Sequence, residues 1–496
     1  MVRELYENLC MGREVRQSLI ALKQELKEEQ AKRSFAYLLG GDYRRIAALL
    51  KDEDPKVRKN AALILGEMEC EDMLPKLWEA YGKESQLFVR PDYLKAMAAY
   101  DCREYLPALK RRKTELLEEG GEGSDAKHRK AELAALRALL SGYEKERHHR
   151  FLGLAGETDV ILLTNREHRE VTREQIKEGA TALLAGGVRV RTRQVEPLFA
   201  IRTWTEMLFP VPGIRILPEE PAEAAKKLAG SGLLRFLWGS HEGDGPFYFR
   251  VEVRGKLGRD EKNAFVKKFG TALERESGMA LVNSASDYEI ELRLLLKKDG
   301  GYVPLLKLYT LKDRRFSYRK QVLASSIHPA NAALVMQLLE PFLKEGAQVL
   351  DPFCGVGTML VERQRLLGAN PLYGIDIYPE AIEKARENAE AAGVRINFIN
   401  RDFLDFRHEY LFDELITNMP SVTGTKGAEE IGNLYRSFLA RLPEVLKPAG
   451  IAALYTTEEG MLQKALKDCD YLKTEKRWTI REKEGSVLYL LRMRDF

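Results

Sequence analysis

Apolar and polar positions follow three successive rhythms along the chain. Over residues 12–37 apolar positions recur at helical spacing among mixed charges. A second helical stripe, Val57, Ala61, Ile64 and Leu65, follows the acidic turn Asp52-Glu53-Asp54-Pro55. Proline at a first helical position loses no hydrogen bond, so this turn predicts a helix start. The pattern returns at residues 90–97 and 105–109. Helix pairs of this kind bury little alone and need stacked neighbours. Residues 1–117 are therefore expected to be a helical region that makes contacts rather than doing chemistry. A Gly- and Glu-rich break at 118–126 and a charged helix reaching Arg150 make residues 118–150 a connector.

From residue 151 the period shortens to two. Val160-Ile161-Leu162-Leu163-Thr164 reads as a strand, and Gly187 to Arg193 as another carrying three Arg on one face. Between them, 171–184 reads as a helix with Thr172 as its cap. Phe247, Phe249, Val251 and Val253 alternate with polar residues; a helix follows over 260–277, then strands at 287–294 and 302–308 joined by Gly300-Gly301. From 347 the rhythm becomes a regular strand–helix alternation. Strands are expected at 347–350, 372–375, 395–399, 414–417 and 451–456, helices at 379–392 and 429–446, and a terminal hairpin around 482–485. Such alternation means a parallel, doubly wound sheet.

Composition adds bounds. The 496 residues are 45% hydrophobic and 31% charged, as in ordinary globular protein. No run approaches the roughly 20 apolar residues of a membrane span, and Met1-Val2-Arg3-Glu4-Leu5 lacks an apolar signal core; a cytoplasmic protein is expected. Five Cys without a CxxC pair, and seven His scattered except for His148-His149 in the basic run 145–150, imply no metal site. The net charge of +4 speaks against a nucleic-acid partner until it is divided. Residues 1–234 carry +2, residues 235–330 carry +6 and residues 331–496 carry −4.

The most informative stretch is Asp351-Pro352-Phe353-Cys354-Gly355-Val356-Gly357-Thr358. A strand ends in Asp, a turn holds two glycines, and a helix begins. The glycines let a ligand approach backbone N–H groups, and Asp376, at the end of the next strand, is placed to take a ribose. Leu360 stands where a dinucleotide fingerprint needs a third glycine.

This stretch resembles motif I of class I S-adenosylmethionine (SAM) methyltransferases, within the branch that methylates exocyclic amines of RNA and DNA. The resemblance covers about residues 325–496, within a methyltransferase domain expected at 323–496. It implies SAM as cofactor, held around Asp351, Phe353, Gly355, Gly357 and Thr358, with Asp376 on the ribose, Asp402 on the adenine amino group and Phe403 flanking the ring. Thr417-Asn418-Met419-Pro420-Ser421 ends a later strand, where the family carries Asn or Asp, Pro, Pro and an aromatic residue. Asn418, Met419, Pro420 and Ser421 are the implied catalytic set. A base amine is a poor nucleophile because its lone pair is delocalised; accepting its two N–H bonds aims that lone pair at the methyl carbon. Met419 and Ser421 depart from the pattern, which puts base stacking in doubt. Cys354 would suggest a nucleophile for methylation of cytosine C5, but in the resembling family Cys is frequent at this position without acting as one.

Residues 151–322 resemble a ferredoxin-like element plus a THUMP domain, which precedes the catalytic domain in guanine-N2 RNA methyltransferases. Arg314, Arg315, Arg319 and Lys320, interleaved with Phe316 and Tyr318, suit phosphates and stacked bases. His328-Pro329 resembles the join to the catalytic domain, with His328 either at the cofactor wall or a helix cap. The fold expected is α/β, a Rossmann-like methyltransferase domain behind an α+β THUMP region and an α-helical region resembling HEAT repeats. The function implied is methyl transfer to guanine N2 of tRNA, with rRNA or DNA adenine N6 as other targets. A catalytically weakened RNA-binding protein is the competing reading. The helical region is a candidate arm for a protein partner.

Overall fold

In the computed structural model, the residues described are 2–118, 125–141, 143, 149–422 and 427–494. The chain divides into two compact units, Met1–Arg147 and His148–Phe496.

Regular structure in the first unit is helical among the described residues. The predicted start at Pro55 is the start of the helix Pro55–Met68, capped by the Asp54 carboxylate accepting the Lys56 N–H. Val57, Ala61, Ile64 and Leu65 are all buried. Gly66 permits close crossing with the helix Arg90–Met97, since a Cβ there would lie 2.7 Å from the Ala96 Cα. Arg58 clasps the buried Glu84 with two hydrogen bonds. The single periodic stretch at 12–37 is two helices, Val15–Glu25 and Glu29–Leu39.

The second unit holds two large sheets. The first has strands β1 (Thr158–Thr164), β2 (Ala180–Leu184), β3 (Gly187–Thr192), β4 (Trp204–Pro210), β5 (Phe247–Arg254), β6 (Leu281–Asn283), β7 (Ile290–Leu296) and β8 (Tyr302–Leu308), in the order β2-β3-β1-β4-β8-β7-β5-β6. Helices Pro221–Ala229, Leu233–Ser240 and Arg259–Glu276 bury apolar residues in the same core as this sheet. The predicted helix at 171–184 is not formed. A short helix, Arg169–Glu174, stops early, and 180–184 pairs antiparallel with β3. Ala185-Gly186 makes a two-residue turn, and hairpin pairing of the apolar run wins over helical spacing. Thr172 is no cap: its hydroxyl lies buried between those of Thr164 and Thr203, 2.8 Å from each. The charged helix predicted to reach Arg150 ends at Ser141 among the described residues, and Arg150 is in a short strand paired with Glu242. The rest of the basic run, 145–148, lies outside the described residues.

The second sheet has strands β9 (Val349–Asp351), β10 (Leu372–Asp376), β11 (Asn397–Asn400), β12 (Phe412–Asn418), β13 (Leu446–Thr456), β14 (Leu472–Arg481) and β15 (Ser486–Met493). Its order is β11-β10-β9-β12-β13-β15-β14, with the first five parallel and β15 antiparallel to both neighbours. The strand order reverses beside β9, the point where open α/β sheets hold their ligands. Two core clusters involve helices flanking the sheet: one with Pro329–Leu339, Thr358–Leu366 and Pro379–Ala392, the other with Ala428–Arg441 and Glu459–Leu466. The helix expected over 429–446 ends at Arg441, because Pro443 supplies no N–H, and Leu446 already belongs to β13.

The two sheets are tied together by a buried cluster. Glu362 accepts two hydrogen bonds from Arg202 and one from Tyr318. Arg202 also donates to the Arg315 carbonyl.

Candidate active site

The parallel strands β9, β10, β11 and β12 end along one edge of their sheet, and each end carries a residue expected from the sequence. Asp351 closes β9 and is only 1% exposed. Its Oδ1 accepts the Thr417 hydroxyl at 2.6 Å and the Phe353 N–H at 3.1 Å, while Oδ2 is buried without a partner. Burial, aided by the negative charge of Asp376, pushes this carboxyl up to about 7 against those two hydrogen bonds.

The turn after β9 needs its glycines. Gly355 and Gly357 have φ of +52° and +80°, backbone states costly for other residues. The Gly355 N–H donates to Asp376 Oδ2 at 2.9 Å, and the Tyr378 N–H donates to Oδ1 at 3.0 Å. Asp376 thus joins the glycine turn to the end of β10 while each oxygen keeps a lone pair. Thr358 opens the next helix, its hydroxyl buried and unpartnered. Two orphaned polar atoms beside a glycine turn fit a bound group that carries donors of its own.

After β11, Asp402 Oδ1 accepts the Leu404 N–H, capping a short turn, and Oδ2 makes no hydrogen bond among the described residues. Phe403 does not present a face to the crevice. It is 2% exposed and packed edge-on against Phe353, with Phe438 on another side, so the flanking role expected of it is corrected to a core role. Phe353 keeps partial exposure. Cys354 is buried beneath the turn, and burial pushes its thiol well above the usual range. That is the opposite of an activated nucleophile, so cytosine-C5 chemistry finds no support here.

Asn418 ends β12, half-buried, with its amide free of hydrogen bonds among the described residues. Met419 donates its N–H to the Tyr455 carbonyl at 2.9 Å and buries its side chain in the core. A proline there could not make this bond, which prolongs the ladder between β12 and β13. Pro420 offers its carbonyl to the Tyr435 hydroxyl at 2.9 Å, which also pairs with the Thr456 hydroxyl. Ser421 is half-buried beside them.

The basic set divides. Arg314 and Lys320 are exposed and Arg319 is half-buried. Arg315 is not available to a ligand: it is 7% exposed, clasped by Asp313, bonded to the Ile201 and Trp204 carbonyls and stacked on the Trp204 ring. Its expected RNA contact is corrected to a structural one. His328 caps the helix Pro329–Leu339, its Nδ1 accepting the Ala330 N–H at 3.2 Å. Burial, with Arg319, Arg481 and Arg315 nearby, holds its pKa below the usual value.

Tyr435 joins the site without any local sequence signal, and Thr417, which holds Asp351, carries only its adjacency to Asn418.

Comparison with known proteins agrees with this geometry. Residues 317–483 match the family described as RMKL-like, methyltransferase domain. A tRNA (guanine(6)-N2)-methyltransferase of Thermus thermophilus is 29% identical over 259 residues, covering 50% of this chain and 72% of that protein. A tRNA (guanine(10)-N2)-dimethyltransferase of Methanothermobacter thermautotrophicus is 25% identical over 213 residues, covering 42% and 61%. Among solved structures, TrmN from Thermus thermophilus superposes with a TM-score of 0.51 at 21% identity, covering 68% of this chain and 99% of its own. SMU.472, solved complexed with SAH, gives 0.51 at 14%, with the same coverage; these two likenesses speak to the fold. This protein is an S-adenosylmethionine-dependent methyltransferase, and SAM is its cofactor.

Proposed function

We propose that this enzyme methylates the exocyclic N2 of guanine in tRNA. The observation that carries the reading is the free Asn418 amide at the end of β12, on the sheet edge where the orphaned Asp351 and the Asp376-linked glycine turn lie. The two guanine-N2 tRNA enzymes among the relatives support the choice of base.

The cofactor supplies a methyl group on positively charged sulfur, so the transfer needs no metal. In this reading Asp351 and Thr358 satisfy their orphaned atoms on its amino-acid end, Asp376 takes the ribose and Asp402 the adenine amine. Asn418 accepts one N2–H bond of guanine and the Met419 carbonyl the other, which turns the nitrogen lone pair out of the ring plane. The Asn amide is not a base; the proton leaves N2 to water once the methylated nitrogen has become acidic. Ser421 gives no stacking face, and Phe353, the partly exposed aromatic of the glycine turn, takes that role in this reading.

Arg314, Arg319 and Lys320 join the basic middle segment in holding phosphates as part of a THUMP-like region. The helical unit, read as HEAT-like, serves as an arm for a protein partner. The test is transfer of tritiated methyl from SAM to total tRNA, with rRNA and ribosomal protein as separate arms, followed by nucleoside mass spectrometry. N2-methylguanosine in tRNA is expected. Label in rRNA or protein would redirect the reading, and no transfer to any arm would leave the weakened RNA-binding alternative.

A further inference from the structure

Residues 419–422, which follow Asn418, are bound to the end of β13, to Glu458 just beyond it and to Tyr435 of the helix Ala428–Arg441. Met419 donates to the Tyr455 carbonyl at 2.9 Å, Pro420 accepts from Tyr435, and Tyr435 bonds Thr456 at 2.6 Å. Glu458 completes the seam: its N–H donates to the Thr456 hydroxyl at 2.8 Å, and its Oε1 accepts the Val422 N–H at 3.1 Å. Its Oε2 makes no hydrogen bond among the described residues, and the residue is half-exposed. The neighbouring Glu459 is different, being spent on Arg477 and Tyr489. A carboxylate anchored by one oxygen to the catalytic loop, with the other free, is a ready acceptor for a donor on the substrate.

Guanine carries such a donor. Its N1–H is adjacent to N2, the nitrogen that Asn418 and Met419 address. Adenine and 2-aminopurine have a bare lone pair at N1, which a carboxylate repels. We infer that Glu458 is the base-specificity residue, its free oxygen accepting the guanine N1–H. The inference rests on the guanine-N2 reading of the site. A site built to pair a substrate N–H rejects an analogue lacking it far more strongly than an apolar pocket can.

The test compares tRNA carrying guanine or 2-aminopurine at the methylated position. The analogue keeps the reactive amine and removes only the N1–H and the O6. The wild type is expected to favour guanine by at least tenfold in kcat/KM. Glu458→Gln keeps an oxygen for Val422 but presents an N–H to N1. It should lose at least tenfold on guanine and bring the ratio near unity or below, with the thermal shift by SAM unchanged. Should this variant misfold, the wild-type ratio still decides: equal rates on the two substrates overturn the assignment. A ratio that stays within twofold of wild type in a folded Glu458→Gln enzyme overturns it as well. If nucleoside analysis finds N2-methylguanosine while either failure occurs, only Glu458 is misassigned. If the methyl group lies on another base, the guanine-N2 reading falls and this inference falls with it.

Discussion

Asp351 has a carboxyl group sealed from water with one oxygen unpaired. With its pKa pushed up from 3.8 to about 7, the folded chain holds a proton there that the unfolded chain has released. Stability must then fall as pH rises from about 4 to about 7, and change no further from this group above that. The loss over that range is about 4 kcal/mol at most. Asp351→Asn removes the titration, so the thermal midpoint of the variant should lose that part of its decline between about pH 4 and 7; parallel curves for both proteins would contradict it. Nearby, Asp376→Ala should abolish the thermal shift given by SAM, since it removes both the proposed ribose acceptor and the bond that holds Gly355. Asn418→Ala should leave that shift intact while lowering methyl transfer by a factor of about 100 or more, as for loss of one preorganised polar group. These residues were legible in the chain because strand, glycine turn and spaced Asp form a local pattern. Arg315 and Phe403 were misjudged for the converse reason. Whether an Arg or a Phe faces solvent is decided by distant residues, here Ile201 and Trp204 for the one and Phe353 and Phe438 for the other.

At the scale of elements, the second sheet was read almost strand by strand, since apolar parallel strands separated by helices leave a strong signal. The failures have local causes. Over 171–184 an apolar run matched both periods, and the Gly-containing turn decided for the hairpin. At 429–446 the proline signal at 443 was outweighed by apolar spacing that continues into β13. The helix Glu459–Leu466 was not anticipated, being eight residues long with little room for periodicity. One packing detail binds the elements of the cofactor turn. A Cβ on Gly374, in β10, would lie 2.9 Å from the Phe398 ring and 3.0 Å from Cys354 Sγ. Gly374→Ala should therefore displace the turn from below, costing about 1–3 kcal/mol and weakening SAM binding without touching a polar contact. A melting curve and a SAM titration check it, and an unchanged affinity would argue that the turn is not seated on Gly374.

The whole molecule combines a helical unit with its own buried core and an α/β unit that contains both large sheets. The solved TrmN chain is matched over 99% of its length by 68% of this one, close to the share that His148–Phe496 represents. A fragment beginning at His148 should therefore fold and keep the thermal shift by SAM. If the helical unit serves only as a partner arm, the fragment should also methylate tRNA at a rate within a few-fold of the full chain. The charge distribution makes a sharper demand. A net +4 is small for the RNA-modifying role proposed, yet +6 falls on residues 235–330, all within the fragment. RNA affinity should then fall with salt equally steeply for fragment and full chain, because the slope counts phosphates neutralised. Arg314→Ala with Lys320→Ala should make the slope shallower by between one and two, whereas Arg315→Ala should lower the melting temperature, since it leaves buried Trp204 and Ile201 carbonyls without a donor. A steeper slope for the full chain would instead assign phosphate contacts to the helical unit and turn it from a partner arm into part of the RNA grip.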